Sequence, residues 1–331
     1  MGMNNKAVVV LAMLWVGVGC AETQQPAGSA RDTRRIEPAP PRAAVEVKDS
    51  LKTAAREQLT AALVDRDALI RMHAVEAVKE AMGSGGRDQI LAAFLDAQAP
   101  VRFVAAMAAG ELRLEPALPL LRRAMNSDKD SHVQIAAIFA LHRMGDTRYS
   151  SGLEEALKSF DPEVRSNSAV ALGRLGEKSA IKILRPVLRD PKAETRLQAA
   201  EAIWRLGDEE GLKYLVAASL SGHPAHKIVA IMGLAGPRDR RVIEHVRAGL
   251  DSEYIEVALV ACRALGMLGS DEAYMLAANA TRSGEWQQRH LAALALGSIG
   301  RADSQDLLEP LLRDPELDVR VAAATAILLL R

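Results

Sequence analysis

Residues Asp161 to Gly176 read DPEVRSNSAVALGRLG, and near-copies of this stretch recur along the 331-residue chain at a fixed step. With Arg165 as the zero of a ruler, the equivalent positions are Arg71, Arg102, Gln134, Arg196, Lys227, Ala258, Arg289 and Arg320. Every step is 31 residues except one of 32, between Arg102 and Gln134. Three places after the zero every copy has alanine except Ser168, and six places after it every copy has alanine except Gly233. Two such columns define a repeat of nine units.

Within a unit, apolar or tiny residues at −1, +3, +6, +7 and +10 follow the spacing of one helical face, which predicts an amphipathic helix. Asp161 followed by Pro162 reads as an N-cap with proline at the first helical position. Gly173, Gly176, Gly266, Gly269, Gly297 and Gly300 fall near the helix end and are read as left-handed C-terminal caps. A second apolar segment lies upstream in each unit, as in 152–160, 180–189 and 307–312, so one unit is a helical hairpin. A period of this length signals a solenoid in which each hairpin buries its apolar face against its neighbours.

The pattern D-P-x-V-R-x-x-A-x-x-A-L-G-x-L-G resembles the short HEAT-like repeats of the phycobilisome lyase type. It places the chain as an all-α protein, an α-solenoid or superhelix of about nine two-helix repeats spanning residues 49–331. The resemblance implies that the second helices line a concave inner surface. It does not imply one activity, because this repeat serves many roles.

Composition agrees with thin stacked layers: 49% of the residues are hydrophobic but only 3% aromatic. Small side chains let helices approach closely without a bulky central core. Lysine plus arginine and aspartate plus glutamate number 42 each. No basic field exists to attract nucleic acid, which is excluded as a partner. The two cysteines, Cys20 and Cys262, exclude a disulfide framework by count. Cys262 stands at +4, where the other units carry Val75, Ala106, Ile138, Ala169, Ala200, Ile231, Ala293 and Ala324, and is read as a small core residue.

Residues 1–19 read as a signal peptide: Lys6, an apolar run from Ala7 to Val18, and the small residues Gly17 and Gly19 before Cys20. The run is too short to span a bilayer comfortably. It resembles a bacterial lipoprotein leader, although Gly17 stands where leucine or a similar residue is usual. That resemblance implies lipidation of Cys20 and anchoring at a membrane of the cell envelope, facing periplasm or exterior; ordinary cleavage and secretion is the alternative. Residues 20–48, rich in Pro, Ala, Gln and charge, read as a disordered tether.

The arc at −2, +2, +5 and +9 of the second helices is expected to form the groove floor. It carries two apolar groups, Val104, Met107, Phe139 and Val170 on one side and Val229, Met232, Val260, Leu291 and Leu294 on the other, separated by the polar Glu194, Gln198, Glu201 and Arg205. Exposed apolar groups of that size mark an interaction surface for a protein or peptide. The competing reading is strong curvature that closes the groove, so that these residues pack on one another. Burial of Phe139 and Leu291 distinguishes the two. At the end of the chain Ile327 to Leu330 has no polar helix after it, which points to coverage of that end by self-association or by a partner.

Arg71, Arg102, Arg165, Arg196, Arg289 and Arg320 lie beside the buried arc, and the column at −6 reads Asp65, Asp96, Asp128, Ser159, Asp190, Ser221, Ser252, Ser283 and Asp314. The two columns suggest a structural ladder between units. The sixth unit is irregular, with Gly233 in the alanine column and Pro237 ending its second helix. No phosphate loop, zinc helix, Cys pair or nucleophile elbow occurs, and no catalytic residue, cofactor or metal is assigned. Deoxyhypusine hydroxylase, another HEAT-like protein, binds iron through His-Glu dipeptides, and none occurs here. His223, His226 and His245 are read as turn and surface residues, lacking a carboxylate or thiolate at ligand spacing. The expectation is therefore a non-enzymatic scaffold. The alternative is an enzyme or enzyme subunit of the phycobilin-lyase type, which requires a pocket holding polar groups with perturbed pKa values where the scaffold requires a long groove.

Overall fold

The computed structural model describes residues 45–330. The leader, Cys20 and most of the tether lie outside the described residues. All regular structure within them is helical. The second helices of the nine units are Ala68–Met82, Ala99–Glu111, Ser131–Arg143, Pro162–Leu175, Ala193–Arg205, Pro224–Ala235, Ile255–Met267, Trp286–Ile299 and Leu317–Leu329. Each follows a shorter first helix, from Asp49–Ala62 in unit one to Ser304–Leu311 in unit nine, that is often broken by a 3-10 turn.

Local sequence fixes the helix ends. Asp67, Asp130 and Asp161 accept hydrogen bonds from the amides of Leu69, His132 and Glu163 at 2.8–2.9 Å, satisfying donors that the first turn leaves open. At +11 the backbone is left-handed: φ is 95° at Gly145, 81° at Gly176, 88° at Gly207, 80° at Gly269 and 72° at Gly300. Units two and six hold the same conformation with Arg113 (φ 50°) and Arg238 (φ 59°), where a side chain is strained.

The glycines at +8 do something other than cap. A Cβ on Gly173 would lie 2.7 Å from Ala202 Cα, and one on Gly297 would lie 2.6 Å from Ala326 Cα. Gly173, Gly266 and Gly297 are therefore contact points between neighbouring second helices, and the capping role belongs to Gly176, Gly269 and Gly300. The small residues at +3 and +6 act with them: Ala199, Ala230, Ala261 and Ala292 are fully buried. Helices this close are buried on nearly every side, and every residue from Val257 to Met267 is buried.

The solenoid does not end in an open edge. The helix Leu317–Leu329 packs on both helices of unit one, Asp49–Ala62 and Ala68–Met82, as it packs on Trp286–Ile299. Nine units thus close into a ring with the second helices inside. Ile327 and Leu330 are buried at 0% and 3% exposure. The first unit covers them, which removes the expected surface for self-association through this end. Gln305 strengthens the seam: its side-chain amide donates to the Glu46 carbonyl at 3.0 Å and its oxygen accepts from the Lys48 amide at 3.4 Å.

Arginine at the zero position spans adjacent units. Its Nε reaches the aspartate at −6 of the following unit, in Arg71–Asp96 (2.7 Å), Arg102–Asp128 (2.8 Å), Arg165–Asp190 (2.6 Å) and Arg289–Asp314 (2.7 Å). Its Nη1 donates to carbonyls of its own interhelical turn, as Arg165 does to Ser159 and Phe160. Where the following unit offers Ser221, Arg196 turns to the Tyr214 hydroxyl at 2.8 Å. Arg320, beside the seam, donates to the carbonyls of Asp314 and Pro315.

Candidate functional site

Closure changes what the inward arc can do. Phe139 is 0% and Leu291 1% exposed, and Val104, Met107, Val229, Met232, Val260 and Leu294 are buried as well. The nine-fold curvature drives the arc at +2, +5 and +9 onto the ring axis, where these side chains fill the space that an open superhelix would leave as a groove. The proposed groove contacts are therefore core residues, with three exceptions at one mouth of the axis. Val104, Met107 and the half-buried Val170 line a cavity of about 470 Å³ there.

This cavity opens on the face that carries the interhelical turns. Leu69, Met72, Phe103, Val104, Met107 and Val170 form its apolar walls. Asp130, His132, Glu163 and Glu194 stand at the first turns of three second helices around its mouth, and Asn167 and Gln198 lie one turn deeper. His132 Nδ1 accepts from the Asn167 amide at 2.9 Å, and Ser166 donates to Thr195 at 3.1 Å. Among the described residues the Ser166 hydroxyl is hydrogen-bonded to Thr195 and not to a histidine or carboxylate.

The floor is charged. Lys79 Nζ lies 2.9 Å from Glu111 Oε2, and Arg174 pairs with the other oxygen of the same carboxylate. Burial pushes the Glu111 carboxyl up, but Lys79 and Arg174 outweigh it and hold the group at about 2. Glu76 is in the opposite situation. Burial raises it to about 7, only partly offset by Lys79, His73 and Arg174, and among the described residues it has no hydrogen-bond or ion-pair partner.

Beneath Glu76 lies the hub of the ring. A void of about 30 Å³, room for one water, is lined by His73, Glu76, Glu80, Arg263 and Thr325. Arg263 is 3% exposed; its Nη2 stands 3.6 Å from Glu80 Oε1, and its Nε and Nη1 have no partner. Burial lowers the Arg263 pKa and raises that of Glu80. His73 Nδ1 donates to Asp318 Oδ1 at 2.9 Å, and His290 Nδ1 donates to the Asp318 carbonyl at 3.0 Å, so the last unit is clasped by histidines of the first and eighth. Sequence reasoning passed over these groups. The available signal was the appearance of Glu76 and Arg263 at +5, where most other units are apolar, and the charged run at +9 formed by Glu80, Glu111, Arg143, Arg174 and Arg205.

Of the remaining histidines, His142 stands between the Ser150 hydroxyl, 2.5 Å from its Nδ1, and Glu177 Oε1, 2.7 Å from its Nε2. The rings of His223 and His226 meet edge to face at 5.2 Å between centroids. Among the described residues no group of three or more His, Cys, Asp or Glu is arranged to hold a metal ion, and no helix is long and apolar enough to cross a membrane.

Residues 87–159 and 150–235 match the family of HEAT repeats. No curated protein matches the sequence. Similar solved structures include the complex of CpcE and CpcF of phycocyanin lyase from Nostoc sp., at 19% identity over 86% of this chain and 99% of that one, with a TM-score of 0.44. Human deoxyhypusine hydroxylase in complex with glycerol is similar at 20% identity over 85% and 97% of the two chains, with a TM-score of 0.37. An engineered protein shares 23% identity over 54% of this chain and 95% of its own, with a TM-score of 0.32.

Proposed function

We propose that this HEAT-repeat protein, an all-α solenoid closed into a ring, is a non-enzymatic protein-binding module that docks its partner on the interhelical-turn face and admits a projecting segment into the axial cavity. The observation that carries this reading is the distribution of exposed apolar side chains. Of the six large hydrophobic residues exposed among the described residues, Val64, Leu95, Phe160, Leu220 and Ile255 lie at the interhelical turns, on the face where the cavity opens; only Met275 does not. Apolar side chains gathered on one polar-rimmed face mark an interaction site. Lipidation of Cys20 would tether the ring to an envelope membrane. The chain enters the ring beside Gln305, where the first helices begin, which leaves the cavity on the opposite face.

Filling the cavity tests the reading. In affinity capture from detergent-solubilised membranes, Val170→Trp should abolish recovery of a saturable partner while leaving the helical circular dichroism intact. Cys20→Ala should move the protein to the soluble fraction. Undiminished capture by the filled ring would place the partner elsewhere.

One observation favours a second reading, an enzyme or enzyme subunit of the phycobilin-lyase type: the closed ring leaves no long groove, and its cavity instead gathers Glu76, raised to about 7, and Glu111, held at about 2, the kind of pocket that this reading requires and that suits general acid–base chemistry. That reading requires bilin attachment that Glu76→Gln abolishes. A binding module shows no turnover with either form.

A further inference from the structure

Carboxylates outnumber cations four to two in the cavity lining, with Glu76, Asp130, Glu163 and Glu194 against Lys79 and Arg174. Both cations are already bound to a fifth carboxylate, Glu111. The polar groups left without partners are acceptors. Glu76 has none among the described residues, and Gln198 Oε1 is buried without a hydrogen bond. A carboxylate enclosed by Met72, Met107 and Val170 favours an occupant that brings a donor and a positive charge. The apolar walls call for an alkyl stem behind that charge. About 470 Å³ also exceeds what one side chain needs and falls in the range of roughly 300–1,000 Å³ typical of ligand pockets.

We infer that the cavity takes a lysine side chain of the partner protein, flanked by apolar residues, with its ammonium seated against Glu76 and Gln198 and its stem between Met72, Met107 and Val170. This rests on the cavity being the partner's docking site. The ammonium replaces the missing partner of Glu76, and the acidic mouth attracts it before contact. Lys79 and Arg174 do not repel it strongly, because Glu111 holds both. A neutral side chain of the same length would gain the wall contacts and leave Glu76 unpaired.

The test uses the full chain with ¹³C-methyl methionine, the Met72 and Met107 signals being assigned with Met72→Leu and Met107→Leu. Two peptides are titrated, acetyl-Leu-Lys-Leu-amide and its counterpart with norleucine in place of lysine. The lysine peptide should shift both methyl signals saturably and bind at least about tenfold more tightly than the norleucine peptide, the scale of one charge-assisted hydrogen bond. Glu76→Gln should remove that preference and leave norleucine binding unchanged. Equal binding of both peptides to the wild-type chain, or a lysine preference that survives Glu76→Gln, overturns the inference while the cavity remains a binding site. If neither peptide moves the signals, the cavity itself fails as the docking site and both readings fall.

Discussion

His73 of the first unit and Asp318 of the last are joined side chain to side chain at 2.9 Å, a contact spanning 245 residues that clasps the ring. His73 is 2% exposed, so loss of its acceptor leaves a buried donor without a partner. Asp318→Ala should cost about 1–3 kcal/mol in urea unfolding, the scale for stranding a buried polar group. Amide exchange should accelerate first in 317–329 and 49–62, the helices at the seam. Uniform acceleration around the ring would show that closure does not depend on this pair.

Arg165 and Asp190 form one rung of the inter-unit ladder. Arg165→Ala should destabilise the chain by about 2 kcal/mol, as for a hydrogen-bonded charged group. The Arg165 guanidinium holds the Asp190 carboxyl below the usual range. A depressed carboxyl contributes stability above its unfolded value and loses it as pH falls through the folded one. The gap between wild type and variant should therefore be full at neutral pH and narrow in acid, measured by urea midpoints across pH.

Two buried groups give the stability profile opposite slopes. Glu76, raised by burial to about 7, favours the fold when protonated, so its contribution is present below about 4.5 and disappears as pH rises through 7. His290, lowered by burial to about 4, favours the fold when neutral, so its contribution is present above about 6.5 and disappears as pH falls toward 4. Glu76→Gln should stabilise the ring at pH 8 more than at pH 4, and His290→Gln should flatten the acid limb. A Glu76→Gln effect independent of pH would mean that the carboxyl titrates normally.

Arg113 holds a left-handed backbone where five other units use glycine. The side chain is exposed, and the conformation costs a non-glycine residue about 1–2 kcal/mol. Arg113→Gly should raise stability by about 1 kcal/mol after the added chain entropy of glycine is subtracted. A loss of stability would show that the guanidinium has a compensating role.

The Cys262 thiol is fully buried, and burial pushes its pKa up to about 12. Native Cys20→Ala protein should resist iodoacetamide at pH 8 and be alkylated only in step with unfolding in urea. Rapid labelling of the folded chain would mean that the seventh unit opens locally.

The repeat columns were sufficient for the number of units and the hairpin within each, because helical periodicity and capping are local physics; the inward facing of the second helices was implied only by the HEAT-like resemblance. The columns also placed the ladder arginines opposite the aspartates at −6, with only the identity of the partner, the next unit's aspartate, left to the fold. Closure was not local. A solenoid's curvature is the sum of small rotations at each interface, set by how closely residues such as Gly173 and Ala202 let two helices approach. Nine such rotations bring Asp318 to His73, bury Phe139 and Leu291 on the axis, and gather Glu76 and Lys79 of the first unit with Arg174 of the fourth beneath one cavity. The sequence determined what each unit is; only the accumulated curvature decided that the inward arc became a hub with a cavity at one mouth.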